Sequence, residues 1–293
     1  MNNWTEIRTA FQVVRLGTIS SAAEVLGIHR ATVIRHIDAL EAEMGAKIFH
    51  RHARGYTATD VGQDLLRVAQ ATEEQFGDLM SRTKGRSAEL TGELIITSHE
   101  QVASLILPSL GRFRTQNPMI LVRYLASPKL LKLEYGEAHI AVRSGPKPDQ
   151  PDNVVQHFFD VKLGLYAHES YVRLRGVPAG ADDYGLHNFV CWQTGNTQFP
   201  FYRWFSNNLP TEAIALQTAN QAIAEKAVLL SMGIGFFPVH EAQKLPELIE
   251  VVPRQDDWSV PLWLVTHVDL HRSAKIQSFL RVLKSEKEQG IDR

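Results

Sequence analysis

The chain of 293 residues contains one cysteine, Cys191. A lone cysteine closes no internal disulfide, makes no two-thiol redox switch and founds no cysteine-rich zinc site. No stretch approaches the roughly 18 apolar residues that a membrane-spanning helix requires. The opening MNNWTEIRTAF lacks the basic start and apolar run of a secretory leader, so a cytoplasmic protein without a membrane partner is expected. Net charge is missing too: 31 Lys and Arg stand against 32 Asp and Glu, for a formal −1, which excludes a bulk polycation. No G-x-G-x-x-G fingerprint, P-loop, H-E-x-x-H or G-x-S-x-G elbow occurs. His50 with His52 and His267 with His271 are pairs that lack enough neighbouring ligands for a metal. No cofactor and no metal are therefore expected.

What is present is 44% hydrophobic and 22% charged residues, ordinary for a soluble globular protein, in a length that implies two or three units. Trp4, Ile7, Phe11 and Val14 recur at three- and four-residue spacing and predict an amphipathic helix ending near Gly17. Ser21 to Glu24 matches a capping box. The short helix behind it turns Ala22, Ala23 and Leu26 inward and ends at Gly27. A second helix follows almost without a loop, with Val33, Ile37, Leu40 and Met44 on one line and Gly45 as its stop.

Two helices joined so tightly form a helix-turn-helix. Arg35 points almost directly away from the apolar line, with Ala31, Thr32, Ile34 and Asp38 to either side. A small residue admits close approach to DNA, arginine pairs with guanine, and an apolar side chain meets a thymine methyl. The competing reading is a structural bundle with a merely solvated face. The next residues separate the two. KIFHRHARGYTAT, Lys47 to Thr59, alternates with strand character and turns at Arg54-Gly55, as a wing does. Arg51 and Arg54 would then sit where a phosphate backbone passes. Thr59 caps a long helix.

The stretch from Phe11 to Leu66 resembles the N-terminal domain of LysR-type transcriptional regulators. The matching elements are Ala22-Ala23, Leu26, the Ile37/Leu40/Glu41 register, Gly45 followed by Ile48-Phe49-x-Arg51, and Thr59-x-x-Gly62-x-x-Leu65-Leu66. The resemblance covers the whole chain and is weaker after residue 90. Residues expected to face DNA are Ser20, Ser21, His29, Arg30, Ala31, Thr32, Ile34, Arg35, His36, Arg51 and Arg54. His29-Arg30-Ala31-Thr32 and Ile34 depart from the family pattern at base-facing positions, so base preference does not carry over.

From Val61 the apolar positions Leu65, Val68, Ala69, Thr72, Phe76, Leu79 and Met80 run at near-heptad spacing to about Thr83. A helix with one such seam wants a partner, either its own domain or a second copy. Dimerisation is the preferred reading, because one helix-turn-helix reads only a short half-site. Lys84 to Gly92 reads as a hinge.

Beyond it, strands alternate with helices, as in a parallel α/β sheet. GELIITSHE reads as a buried strand, QVASLILPSLGRFRTQNP as a helix, MILVRYLA as a strand, SPKLLKLEYGE as a helix and AHIAVRSG as a strand. This half is similar to the effector-binding domain of the same regulators, with two lobes and a periplasmic-binding-protein-like fold. The expected architecture is α+β and multidomain. A winged helix-turn-helix spans residues 1–58, a linker helix and hinge 59–90, and a two-lobed α/β domain 91–293. Lobe one covers about 91–160 and 267–293, lobe two about 161–266.

Ligands in open α/β sheets sit beyond the carboxyl ends of strands. That rule selects Ser98, His99, Glu100, Ser127, Arg143, Ser144, Thr194, Asn196, Asn220 and Phe237. Ser98, Ser127 and Asn220 read equally as ordinary helix caps. Arg143 has an inter-lobe salt bridge as its competing role, and His99 reads as structural. Arg143 and Glu100 together would suit a zwitterion such as an amino acid. Relatives often carry an Asp just before the strand at 140–142, where this chain has His139. Cys191, in an apolar run, reads as a core thiol.

The expected function is a DNA-binding regulator, not an enzyme, that senses a small anionic or zwitterionic metabolite. Its partners are double-stranded promoter DNA, the effector, further copies of itself in a dimer or tetramer, and RNA polymerase. The competing reading is an enzyme or solute-binding protein with an incidental N-terminal domain, and no nucleophile–base pair stands out to support it.

Overall fold

The computed structural model describes residues 3–52, 55–83, 90–127, 130–192 and 199–286. Helix α1 (Trp4–Leu16) stops where Gly17 takes a left-handed φ of 75°. Helix α2 (Ile19–Leu26) stops in the same way at Gly27, and α3 (Arg30–Met44) at Gly45. Ala10, Val13, Ala22, Val33, Ile37 and Leu40 are wholly buried where the three helices meet. The cap of α2 differs from the expectation. Thr18 accepts the Ser21 N–H at 3.1 Å, so Ser20 and Ser21 lie inside the first turn and no Ser21 box forms. Thr18 has the extended backbone a cap needs, at φ −139° and ψ 150°, and the helix starts one turn earlier than the Ser-x-x-Glu spacing suggests.

Strands β1 (Phe49–His52) and β2 (Gly55–Ala58) pair antiparallel, Phe49 opposite Ala58 and His52 opposite Gly55. Thr59 then caps α4 (Asp60–Thr83), accepting the Gly62 N–H at 3.1 Å. A Cβ on Gly62 would lie 2.1 Å from the Ile48 carbonyl oxygen, so only glycine lets α4 pass this close to the wing. Leu65 and Ala69 are buried, whereas Val68 is 48% and Phe76 54% exposed. The exposed rings of Trp4 and Phe76, 5.9 Å apart, border a groove of about 340 Å³ between α1 and α4. The expected hinge begins in residues 84–89, outside the described residues.

The second half opens with β3 (Gly92–Ser98), a short 3-10 turn at Glu100–Val102, α5 (Ala103–Gln116), β4 (Ile120–Ala126) and β5 (Ile140–Ser144). A long strand, β6 (Asn153–His168), leads to α6 (Glu169–Arg175), β7 (Phe189–Trp192), α7 (Pro200–Asn208) and β8 (Ile214–Thr218). Then come α8 (Gln221–Leu229), β9 (Ile234–Pro238), α9 (Val239–Ala242) and β10 (Leu248–Val252). The chain closes with β11 (Ser259–His267), α10 (Val268–His271) and α11 (Ala274–Glu286).

The strand order is β4-β3-β5-β11-β6-β9-β7-β8, with β10 beside β6. The sheet is mixed. The alternating βα segments give parallel pairs, β3 with β4 and β5, and β7 with β8 and β9. The crossover strands β6 and β11 run antiparallel to their neighbours. Residues Asn153 to Lys162 of β6 pair with β11, and Leu163 to His168 pair with β9 and β10. One strand thereby joins two cores. The first holds Leu94, Ile106, Phe113 and Phe279; the second holds Phe189, Phe201, Phe236 and Trp258.

In the described part of SPKLLKLEYGE the expected helix gives way to a 3-10 turn at Leu133–Tyr135. Leu133 is spent as a core plug at 3% exposure. The Lys132 N–H is taken by the Glu137 carboxylate at 2.7 Å, and Gly136 closes the turn with a φ of 69°. No helix of the described residues is long and apolar enough to cross a membrane.

Candidate DNA interface and ligand cleft

The buried line of α3 fixes which side faces outward. Arg30, Ala31 and Arg35 are exposed, Thr32 and Ile34 half-buried. His29 stands exposed at the helix start with extended backbone and no side-chain cap bond. The outer face is therefore small and cationic, as a major groove requires.

Two expected DNA contacts are otherwise engaged. The His36 Nδ1 lies 2.9 Å from the Thr9 hydroxyl. That hydroxyl donates its one hydrogen to the Thr5 carbonyl at 2.7 Å, so the histidine must donate from Nδ1. His36 thus ties α3 to α1. Arg51 is exposed but paired: its Nη2 is 2.5 Å from Asp38 Oδ1 and 3.4 Å from Glu41 Oε2, and its Cζ stands 5.5 Å from the Tyr56 ring centre. The hydrogen bond to Asp38 holds the Arg51 pKa above its ordinary value. Arg54 lies outside the described residues.

Glu41, which entered the sequence reading only through the Ile37/Leu40/Glu41 register, has a role there that the reading did not assign. Its side chain, 4% exposed, accepts the backbone N–H groups of Ile48 and Phe49 at 3.0 and 3.2 Å and the Lys47 ammonium at 2.7 Å. Burial pushes this carboxyl up, but Lys47 and the two backbone donors together hold it below its ordinary value. An acid on the inward side of α3, eight residues before the start of β1, was the available signal.

In the second half, β4, β3 and β5 run parallel, so their carboxyl ends share one edge. Ser98 and Ser127 meet there through the Ser127 N–H and the Ser98 carbonyl at 3.0 Å. The Ser98 side chain is 1% exposed, donates to the His99 carbonyl at 2.6 Å and also bonds the Tyr124 hydroxyl. It is a strand-end staple and caps no helix. His99 and Glu100 are exposed at the start of the 3-10 turn. Ser144 is exposed at the end of β5.

Arg143 is half-buried. It donates to the Leu131 carbonyl at 3.3 Å and, among the described residues, meets no carboxylate. Burial lowers its pKa below the ordinary value. The competing role, an inter-lobe salt bridge, is thus not seen among the described residues.

In lobe two, Asn220 is a helix cap, accepting the Ile223 N–H at 3.2 Å. Phe237 departs from its expected place at an open strand end. It is 3% exposed and packs with Tyr166, because β9 is interior in the sheet and turns this ring into the core. Thr194 and Asn196 lie outside the described residues. Cys191 is buried, and burial pushes its thiol up to about 12, which leaves it inert at neutral pH. His139, in the position where an Asp was expected, is 2% exposed and accepts the Ile95 N–H on Nδ1 at 2.8 Å. No group of three or more acidic, histidine or cysteine side chains among the described residues could hold a metal.

Comparison with known proteins bears on both halves. Residues 4–63 match the family model of bacterial regulatory helix-turn-helix proteins of the lysR family. Residues 87–288 match the model of the LysR substrate binding domain. An HTH-type transcriptional repressor of Pseudomonas aeruginosa is 24% identical over 289 residues, 96% of this chain and 90% of that protein. Two full-length structures share the fold. CrgA, a LysR-type regulator from Neisseria meningitidis, has a TM-score of 0.58 at 21% identity, covering 96% of this chain and 98% of that one. LysG from Corynebacterium glutamicum, solved with its effector Arg bound, has a TM-score of 0.65 at 15% identity and covers 100% of both chains.

Proposed function

Because the chain belongs to the LysR family of DNA-binding transcriptional regulators and is no enzyme, we propose that it reads a promoter through α3 and the wing and answers to a small anionic or zwitterionic metabolite. The observation that carries the DNA half is the outer face of α3. Arg30, Ala31 and Arg35 are exposed there, while Val33, Ile37 and Leu40 are fully buried behind them. Ser20, Ser21, His29, Thr32 and Ile34 complete the proposed DNA-facing set. The units run 1–58, 59–90 and 91–293, and the protein works in the cytoplasm.

Val68 and Phe76, exposed on α4, support pairing of two copies along that helix. Replacing both with aspartate is expected to lower the sedimented mass without unfolding the chain. Ligand closing the two lobes shifts the packing of a dimer or tetramer, and with it DNA bending or contact with RNA polymerase.

The effector half rests on Arg143, a half-buried guanidinium at a strand end with no carboxylate beside it among the described residues. Ser98, Ser127, Ser144 and the exposed His99 and Glu100 share its edge. Glu100 supports a second reading, an amino acid whose ammonium it would take.

The test is a gel shift over a salt series, using DNA from immediately upstream of the gene and scrambled DNA of equal length. Preferential binding with a two-half-site footprint is expected. No binding to either DNA at low salt would overturn the assignment of α3.

A further inference from the structure

One short helix of lobe two bears on lobe one. Helix α9 follows the carboxyl end of β9, and its His240 ring stands 6.1 Å from the Phe159 ring, edge to face. Phe159 belongs to the lobe-one core with Leu94 and Ile96. The next residue, Glu241, accepts a hydrogen bond from the Ser104 hydroxyl at the start of α5, also in lobe one. Two neighbouring side chains of one lobe therefore hold the other.

His240 is an expensive residue for this contact. Its side chain is 14% exposed, and both ring nitrogens are buried without a hydrogen-bond partner among the described residues. Nε2 lies 3.3 Å from Glu241 Oε1, outside hydrogen-bond geometry. A neutral imidazole carries one donor and one acceptor, and water would satisfy both. The docked ring forgoes that hydration, which Phe159 cannot replace. Charging the ring in this place costs more still. Burial holds His240 below its ordinary 6.5, against the pull of Glu241 and with the push of Lys244. Lys244 Nζ is 3.2 Å from Glu241 Oε1. Glu225 of α8 accepts from Gln221 at 2.6 Å; burial, opposed by that bond and helped by the Glu241 charge, raises its carboxyl.

We propose that α9 is an acid-released latch between the lobes, docked while His240 is neutral and let go when the ring takes a proton. No effector enters this step. The docked ring binds its proton more weakly than a ring in water, so docking is favoured above 6.5 and loses ground as pH falls below it. Glu225 would act in the opposite sense, because a raised carboxyl takes its proton more readily in the docked state. Glu241, which burial raises, is held below its ordinary 4.5 by Ser104 and Lys244 and keeps its charge through this range. A helix of four residues does not stand alone in water. Once undocked, α9 loses the bonds from the Gln243 and Leu245 N–H groups to the Val239 and Ala242 carbonyls, each 3.0 Å.

The test is amide exchange of the full-length protein, read as protection relative to the intrinsic rate at about pH 7.5 and about pH 5.5. Protection at Gln243 and Leu245 is expected to fall roughly fivefold to tenfold, the scale of one proton taken up across the ordinary histidine range. Amides of α11, in the lobe-one core, should keep theirs, which separates undocking from acid unfolding. With His240→Phe, protection at Gln243 and Leu245 should not fall with pH. With Ser104→Ala it should be lower at both pH values. Should His240→Phe fail to fold, His240→Gln takes its place with the same expectation. Constant protection in the unaltered chain overturns the latch. So does a fall that persists without the histidine, or one that α11 shares. Protection in Ser104→Ala equal to that of the unaltered chain overturns the hold of Glu241 across the lobes.

Discussion

The Arg51 guanidinium stands 2.5 Å from the Asp38 carboxylate, so the wing is tied to the flank of the helix that faces DNA. This tie separates two roles for Arg51 that a contact map of a complex could confuse. A phosphate contact releases counterions, and its loss lowers the salt slope by about one. A residue that only sets the angle between wing and helix leaves the slope alone. Arg51→Ala is therefore expected to weaken binding to specific and scrambled DNA with the slope of log affinity against log salt unchanged. A slope smaller by about one unit would return Arg51 to the phosphate backbone.

Glu41 holds the same joint from the inside. Removing its carboxylate in Glu41→Ala leaves the Ile48 and Phe49 N–H groups buried without their acceptor. Two such losses amount to about 2–6 kcal/mol of stability, measured by urea unfolding. The pH dependence has a definite sign. The folded pKa lies below the ordinary value of 4.5, so the contribution is present above that value and is lost as pH falls through the folded pKa. The gap in melting temperature between the unaltered chain and Glu41→Gln should be full at neutral pH and shrink on acidification below the ordinary carboxylate range. A gap that widens in acid would contradict the assignment.

Arg35 and His36 are neighbours in sequence with opposite expected phenotypes. Arg35 is exposed on the outer face of α3, while His36 bonds Thr9 of α1. Arg35→Ala should weaken specific binding by about 1–3 kcal/mol and relax base preference, with little effect on stability. His36→Ala should lower the melting temperature and leave the ranking of operator variants as it was. Competition gel shifts with a set of single-base operator variants distinguish the two. A changed ranking for His36→Ala would restore it to the base-reading set.

The helix-turn-helix was legible because its signals are local. Apolar spacing marks the inward line of each helix, and Gly17, Gly27 and Gly45 take the left-handed conformation that ends them. The intramolecular partners of Arg51 and His36 were hidden for a reason of another kind. Sequence shows a cation, but not that the fold sets Asp38 beside one and Thr9 beside the other. Phe237 follows a Gly-rich turn at a strand end, which reads as an open edge. Only the order β6-β9-β7 reveals that this strand is interior. The strand-end rule does not reach Phe199, whose approach to Gly145 joins residues 54 positions apart. SPKLLKLEYGE has helical composition, yet tertiary burial of Leu133 outweighs propensity.

His139 shows how a departure from the family pattern can preserve a bond. The Ile95 N–H lies in the core of lobe one, and the imidazole Nδ1 accepts it at 2.8 Å. A carboxylate at the same place could accept it equally well, which gives a physical reason for either residue there. His139→Ala leaves that donor without its acceptor at a site 2% exposed, and about 1–3 kcal/mol of stability should be lost. His139→Asn offers a short side-chain oxygen and should recover part of the loss, whereas His139→Leu fills space and should recover none. Amide exchange at Ile95 is the decisive readout, because a volume effect alone would melt all of β3 evenly. Faster exchange at Ile95 in the Ala and Leu variants, slowed again in Asn, would identify the histidine as the acceptor. Equal exchange in all three would reduce His139 to a filler of the core.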